Sequence, residues 1–262
     1  MTKPVHSLDK RALYRLGVQM RQDGRLHDFS DPALDKVFTG SIDRFSDIAY
    51  RLRECPKVLD VGSGHGMLLS FLSELGHECY GVDFVDQSER YPAVYRKKPI
   101  HYQVSNAEVD PLPFPDDSFD AVTCCQVLEH FTHSHLPQVK EIRRVLRPGG
   151  IVEIDVPNAA SFRNRSRMLR GKHITIDYKS HYLYAQPVLY KGMSFFPVRH
   201  NREFTADELR LLLDAVGFRD VEVSFLRGRR HREGFRSTLA IGSILRDAVP
   251  TLRKFLIAFA RK

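Results

Sequence analysis

The residues Val58-Leu59-Asp60-Val61-Gly62-Ser63-Gly64-His65-Gly66 carry an apolar run straight into a glycine-rich turn. An amphipathic stretch of Met67, Leu68, Leu69, Phe71, Leu72 and Leu75 follows and stops at Gly76. Glycines at this spacing let the backbone bend sharply and approach a ligand that any Cβ would hold off. Asp83 ends the next apolar run, 17 residues after Gly66, where a carboxylate accepts hydrogen bonds from both hydroxyls of a ribose. Gly62, Ser63, Gly64, Gly66 and Asp83 therefore predict a nucleoside site. A dinucleotide fold is the rival reading, but its third glycine falls where this chain has Met67, and it has no use for an acid at Asp60.

These residues need a scaffold of alternating strands and helices. Short apolar runs at 57–61, 78–83, 100–104, 121–125 and 151–156 read as strands separated by amphipathic helices, a pattern that implies a parallel sheet covered on both faces. Residues 1–56 read as a helical flank or lid: Asp31-Pro32 is a cap followed by a first-turn proline, and Ile42, Phe45, Ile48, Ala49 and Leu52 recur at helical spacing. Thr205 and Glu208 match a capping box opening a helix through Leu209, Leu212, Leu213 and Val216 that ends at Gly217. Late strands are expected at 220–225 and 255–260. Between Pro157 and His200 the periodicity dissolves into an arginine- and tyrosine-rich segment, and such long irregular insertions tend to be functional. The expected architecture is α/β: a Rossmann-like, seven-stranded, mostly parallel sheet over 57–262, with an insertion after strand 5 at 159–204.

Residues 57 to about 158 resemble the class I S-adenosylmethionine-dependent methyltransferases, in their broad type 11 subgroup. Besides the glycine turn and Asp83, the similarity is carried by Asn106-Ala107-Glu108, by Leu112-Pro113-Phe114-Pro115-Asp116-Asp117-Ser118-Phe119-Asp120, by Val127-Leu128-Glu129-His130, and by Arg144-Val145-Leu146-Arg147-Pro148-Gly149-Gly150. The resemblance implies S-adenosyl-L-methionine as cofactor. It places Asp60 where the cofactor's ammonium makes an acid sensible, and sets Phe84, Ala107 and Gln126 beside the nucleoside. Asn106 stands where the family usually has aspartate next to the adenine, and its amide can both accept and donate there. Asp120 is expected to brace the fourth strand.

Methyl transfer from a sulfonium is an in-line displacement, so the protein has to align the nucleophile and remove its proton. His130, where the resemblance puts substrate, is the candidate base, with His133 and His135 following. Quinone-type O-methyltransferases use a Glu-x-x-Glu-His metal element at this place. Here the first acid is Gln126, a poor replacement for a carboxylate ligand, so a bound divalent metal stays open but is not favoured. His200-Asn201-Arg202-Glu203-Phe204-Thr205 is similar to a run in methyltransferases of cell-envelope sugar and polysaccharide clusters. With Arg163 and Arg167 of the insertion, His200 and Arg202 suggest an anionic, hydroxylated acceptor such as a nucleotide-sugar or lipid-linked glycan, since aromatics stack on sugars and guanidinium groups fork onto phosphate. A basic cluster at Arg227, Arg229, Arg230, His231, Arg232 and Arg236 leaves nucleic acid and peripheral membrane contact open, although no RNA-binding module accompanies it. RNA methylation and a cofactor-binding regulator without catalysis are the alternative functions.

Composition narrows the field. Hydrophobic residues form 42% and charged residues 27% of 262 positions, as in a globular protein rather than a disordered chain. The net charge of +8 is uneven: nine basic against fifteen acidic residues over 56–158, then twenty-one against nine over 159–262. An anionic partner on the C-terminal side is one consequence. No apolar run nears the roughly 20 residues of a membrane span, and residues 1–10 contain no apolar leader core. Cys55, Cys79, Cys124 and Cys125 lie in or beside core segments with neither framework nor metal spacing, and Cys124 and Cys125 read as small buried hydrophobes, which favours a reducing, cytoplasmic setting.

Overall fold

The computed structural model describes residues 7–27, 32–175, 177–226 and 248–262. The expected cap at Asp31 and the basic cluster from Arg227 to Arg236 lie outside them. Seven strands hydrogen-bond into one sheet in the order β3-β2-β1-β4-β5-β9-β8. They are β1 (Lys57–Val61), β2 (Glu78–Asp83), β3 (Ile100–Val104), β4 (Phe119–Cys125), β5 (Leu146–Pro157), β8 (Arg219–Leu226) and β9 (Phe255–Arg261). β1 pairs in parallel with β2 and β4, and β2 with β3, so the glycine turn and Asp83 leave the same ends of neighbouring strands. The sheet is flanked by helices, as in the Rossmann-like fold expected. Among the described residues no helix is long and apolar enough to cross a membrane.

The chain divides into two compact units. The first comprises 1–125, 141–153 and 261–262. Its helix α1 (Lys10–Gln22) starts where the Asp9 carboxylate accepts from the Ala12 N–H at 2.7 Å, and α2 (Pro32–Arg51) opens on its proline, which has no N–H to leave unpaired. The two helices meet closely because of Gly17, where a Cβ would stand 2.5 Å from Ile42 Cδ1. α3 (Met67–Glu74) is apolar nearly all round, which suits a helix packed on both α2 and β2. α4 (Pro92–Tyr95) is a single turn, and α5 (His135–Val145) leads into β5. Asp120 braces the strands as expected: it accepts from the Lys57 N–H at 2.8 Å and pairs with Arg147.

The second unit comprises 126–140 and 154–260. Here the insertion has more order than its sequence suggests. Ser161 caps α6 (Phe162–Leu169), a π turn spans Lys179–Leu183, and β6 (Val188–Tyr190) pairs antiparallel with β7 (Met193–Phe195). α6 escapes periodicity analysis because four of its eight residues are arginine or asparagine and only Asn164 is buried. The capping box forms at α7 (Ala206–Val216), with Thr205 and Glu208 bonding reciprocally and Gly217 ending the helix at φ 86°. Residues 255–261 form a strand, so the reading of this apolar end as a sheet element holds.

Candidate functional site

In the first unit the glycine turn is tied to β2 by the Gly62 and Ser63 N–H groups, which donate to Val82 O at 2.8 and 3.0 Å. Gly62, Gly64 and Gly66 have φ of 71°, 51° and 67°, the left-handed region that residues with a Cβ avoid. Asp83 closes the turn, its Oδ2 accepting from the Gly64 N–H at 2.9 Å and its Oδ1 from the Val85 N–H at 3.2 Å. Burial pushes the Asp83 carboxyl above its usual pKa, against the pull of these backbone donors. A Cβ on Gly64 would meet nothing nearer than Gly62 O at 4.0 Å, so the face of the turn is open to a ligand.

Asn106 is buried, and its Oδ1 accepts from the Glu108 N–H at 3.0 Å. That bond fixes which amide atom is oxygen. Its Nδ2 is left buried with no hydrogen-bond partner, a donor that an acceptor nitrogen of a purine would satisfy. Phe84 and Ala107, beside these two residues, are half-buried. Asp60 is buried and accepts from Thr123 Oγ1 at 2.7 Å. The open turn, the ribose-side carboxylate and the unsatisfied amide together fit an adenosine carrying a charged amino-acid arm.

Three supports of this site have no motif to reveal them. The Tyr95 hydroxyl lies 2.9 Å from Ser63 Oγ and 2.8 Å from Gly64 O, bridging the turn. Tyr102 donates to Val85 O at 2.7 Å and accepts from the Gln87 N–H at 3.1 Å, holding the loop beyond Asp83. Gly81 makes room for Ser63, since a Cβ there would stand 2.9 Å from Ser63 Oγ and 2.8 Å from Leu69 Cδ1. Burial pushes both tyrosine hydroxyls well above the usual phenol range, so they remain neutral. Cys125 departs from the expectation of a buried hydrophobe: the last residue of β4, it is half-buried and its Sγ donates to Glu153 Oε2 at 3.2 Å.

In the second unit Gln126 follows β4 with a left-handed φ of 56°. Its N–H donates to Asp155 O at 2.9 Å and its side-chain amide to Asp155 Oδ1 at 2.5 Å, so the amide assigned to the cofactor is held by this strand residue. Glu129 and His130 close a short 3-10 turn, Leu128–His130. His130 Nδ1 lies 2.7 Å from Arg199 O. A carbonyl only accepts, so Nδ1 carries the proton and the lone pair falls on Nε2. Burial holds the His130 pKa below the usual histidine value.

The 199–202 segment is fastened to this turn, with the Asn201 N–H donating to Glu129 O at 2.7 Å and Asn201 Nδ2 to His130 O at 2.7 Å. His200 is thereby brought to His130, ring centroids 5.0 Å apart and nearly perpendicular. Its Nδ1 stands 3.7 Å from Glu203 Oε1, and Glu203 Oε2 accepts from Asn164 Nδ2 at 2.5 Å. Arg163 Nη1 reaches Asn164 Oδ1 at 3.5 Å. Burial, then the nearby Arg163, lowers the pKa of Lys254, a lysine that no sequence pattern marks. Arg202 and Arg167 stand apart from this group: Arg202 pairs with Glu208 of the capping box, and Arg167 donates to His173 O at 2.7 Å and Thr175 O at 3.3 Å. Glu129, His130 and His200 each present a ligand atom within 4.8 Å of the others, a spacing at which they could hold a divalent cation.

Residues 33–223 match the family model described as a methyltransferase domain. The ubiquinone biosynthesis O-methyltransferase of Idiomarina loihiensis is 33% identical over 175 residues, covering 65% of this chain and 64% of that protein. The chain spans 38% to 64% of the length of the first curated relatives it matches. Among solved structures, a methyltransferase from Mesorhizobium loti superposes with a TM-score of 0.55 at 18% identity, covering 85% of this chain and 98% of that one. The 1,6-didemethyltoxoflavin-N1-methyltransferase of Burkholderia thailandensis, solved with S-adenosylhomocysteine, gives 0.52 at 20% identity over 100% and 91%. The family match runs through both the nucleoside turn and the histidine pair, and the chain belongs to the class I S-adenosylmethionine-dependent methyltransferases.

Proposed function

We propose that this enzyme methylates a hydroxyl of an anionic small molecule or glycan, such as a nucleotide-sugar, with His130 as the base. The observation that carries the reading is the burial of His130 with its Nδ1 2.7 Å from Arg199 O, which favours a neutral imidazole able to take a proton. S-adenosylmethionine, when bound, supplies a methyl group on a sulfonium that needs no further activation. The remaining work falls to the protein. Gly62 to Gly66, Asp83 and Asn106 hold and orient the nucleoside, and His130 Nε2 takes the proton from the acceptor hydroxyl. Positioned general bases contribute roughly a hundred- to ten-thousandfold. Arg163, beside the neutral Asn164 and close enough to Lys254 to affect its titration, supports an anion on the acceptor side. The relatives include enzymes named for O- and N-methylation, so the acceptor atom rests on the base alone.

The direct test offers the protein labelled S-adenosylmethionine with nucleotide-sugars, lipid-linked glycans, quinols and RNA. Label on an oxygen of a phosphate-bearing sugar supports the proposal, whereas labelling of RNA or of a nitrogen sinks it. A second reading rests on Glu129, His130 and His200, which could hold a divalent cation with His130 as a ligand. Turnover that falls on chelation and returns with added metal would favour it.

A further inference from the structure

Large apolar side chains reach the surface in one segment of the second unit far more than elsewhere. Of the thirteen that are exposed among the described residues, nine lie within 159–204. Leu169 is 89%, Leu189 72% and Met168 66% exposed, so each forgoes the gain from burial, and exposed apolar groups gathered in this way mark a contact surface. The same segment holds nine basic against two acidic residues. Arg165, Arg170, Lys172 and Lys179 are exposed and form no ion pair among the described residues. By contrast, Arg21, Arg25, Lys98 and Arg144 of the first unit each pair with an acid.

Hydrogen bonds join these residues into one surface. Arg167 ties α6, whose far end carries Met168 and Leu169, to His173 O and Thr175 O. Thr175 bonds the Tyr182 hydroxyl, which itself donates to His200 O at 2.5 Å. Arg199 donates to His181 O at 3.0 Å and Tyr182 O at 3.2 Å, fixing the π turn on which Leu183 is exposed, with Tyr178 and Tyr184 exposed at its two ends. Cations and apolar groups on one surface call for a partner that offers anions and an apolar phase together, and a bilayer of anionic lipid does so. Tyrosine suits the boundary between the two. Nucleic acid matches the arginines and tyrosines but gives leucine and methionine side chains no apolar phase to enter. A second copy of this chain would set one basic surface against another.

We propose that the surface running from α6 to the π turn docks this protein peripherally on anionic membranes, its leucines and Met168 entering the acyl boundary and its cations facing lipid phosphates. The hydrogen bonds from Tyr182 and Arg199 fasten that surface to the segment bearing His200, so docking brings the His130–His200 pair close to the headgroups, where a lipid-linked acceptor presents its sugar. Only this last step rests on the acceptor reading; docking does not.

The test is co-sedimentation of the full chain with phosphatidylcholine vesicles, with and without phosphatidylglycerol, in the absence of cofactor and acceptor. The native protein should bind the anionic vesicles and not the neutral ones, and should release them as salt is raised. Leu169→Ser combined with Leu183→Ser should weaken binding at least about tenfold at unchanged charge. Arg165→Gln combined with Lys172→Gln should weaken it roughly fivefold per charge removed. Both double variants should keep the native Tm and S-adenosylhomocysteine affinity. A folded native chain that leaves anionic vesicles unbound overturns the proposal, as does binding that the serine variant does not weaken. Two further results overturn it: single-stranded RNA bound more tightly than vesicles and equally well by the serine variant, or a dimer in sedimentation equilibrium that the serine variant dissociates. None of these results bears on the cofactor or on the acceptor, since methylation of a soluble hydroxylated acceptor tests that reading without a membrane.

Discussion

Replacing Asp83 by alanine separates what the carboxylate does for the protein from what it does for the cofactor. An ionised carboxylate offers about four acceptor positions, and two are taken by the Gly64 and Val85 N–H groups. The Gln87 side chain and the Phe84 N–H also donate to it, so a ribose diol has to share the carboxylate with them. Hydrogen bonds to a charged group contribute about 1.5 to 3 kcal/mol net, and since both ribose bonds share one carboxylate they are not additive, so the same range serves for the pair. S-adenosylhomocysteine affinity should therefore fall roughly 10- to 150-fold. The unliganded protein should also lose a few degrees of Tm, because two backbone donors lose their acceptor. Asp83→Asn should not be milder on stability, since a single amide oxygen cannot replace both carboxylate oxygens. Binding also needs the ionised form. Burial raises the Asp83 pKa, so affinity should begin to decline, as pH falls, at a higher pH than for an ordinary aspartate. Calorimetry with a thermal scan of the same samples measures both effects. A loss of Tm with affinity unchanged would show that the carboxylate only shapes the turn.

Three other outcomes are expected. Gly81→Val should displace Ser63 and Leu69, costing about 1 to 3 kcal/mol of stability by denaturant titration and weakening cofactor binding with it. Arg144 bonds Leu112 O, Phe114 O, Asp116 and Glu141, and Glu141 is held below its usual pKa first by Arg144. The stability from that depressed pKa is present above the unfolded value and lost as pH falls through the folded one. Arg144→Met should remove this acid-side dependence in urea titrations at pH 3 to 6. Finally, the acid limb of kcat/KM should fall below the ordinary histidine pKa, because the proposed base acts when neutral and burial lowers the His130 pKa.

The nucleoside half of this site was legible because it is local. One strand, one turn and the next strand's final acid are read from a single window, and β1, β2 and β3 begin and end where alternation in the sequence put them. Tyr95, Tyr102 and Gly81 were not legible, since their roles arise from packing on the turn. The acceptor half depends on residues about seventy positions apart. That His200 meets His130 follows from the Asn201 and Arg202 N–H groups donating to Glu129 O and the Asn201 amide to His130 O, bonds that no sequence pattern announces. Nor does the sequence show the bonds that Arg167 and Arg202 make within the protein, to His173 O and Glu208.

His130 is the residue on which the proposed chemistry depends most directly. Turnover of an accepted hydroxyl substrate should fall at least about a hundredfold in kcat when His130 is replaced by asparagine, while S-adenosylhomocysteine affinity stays within twofold of the native value. An asparagine variant that binds the cofactor and turns over at the native rate would contradict the assignment of the base.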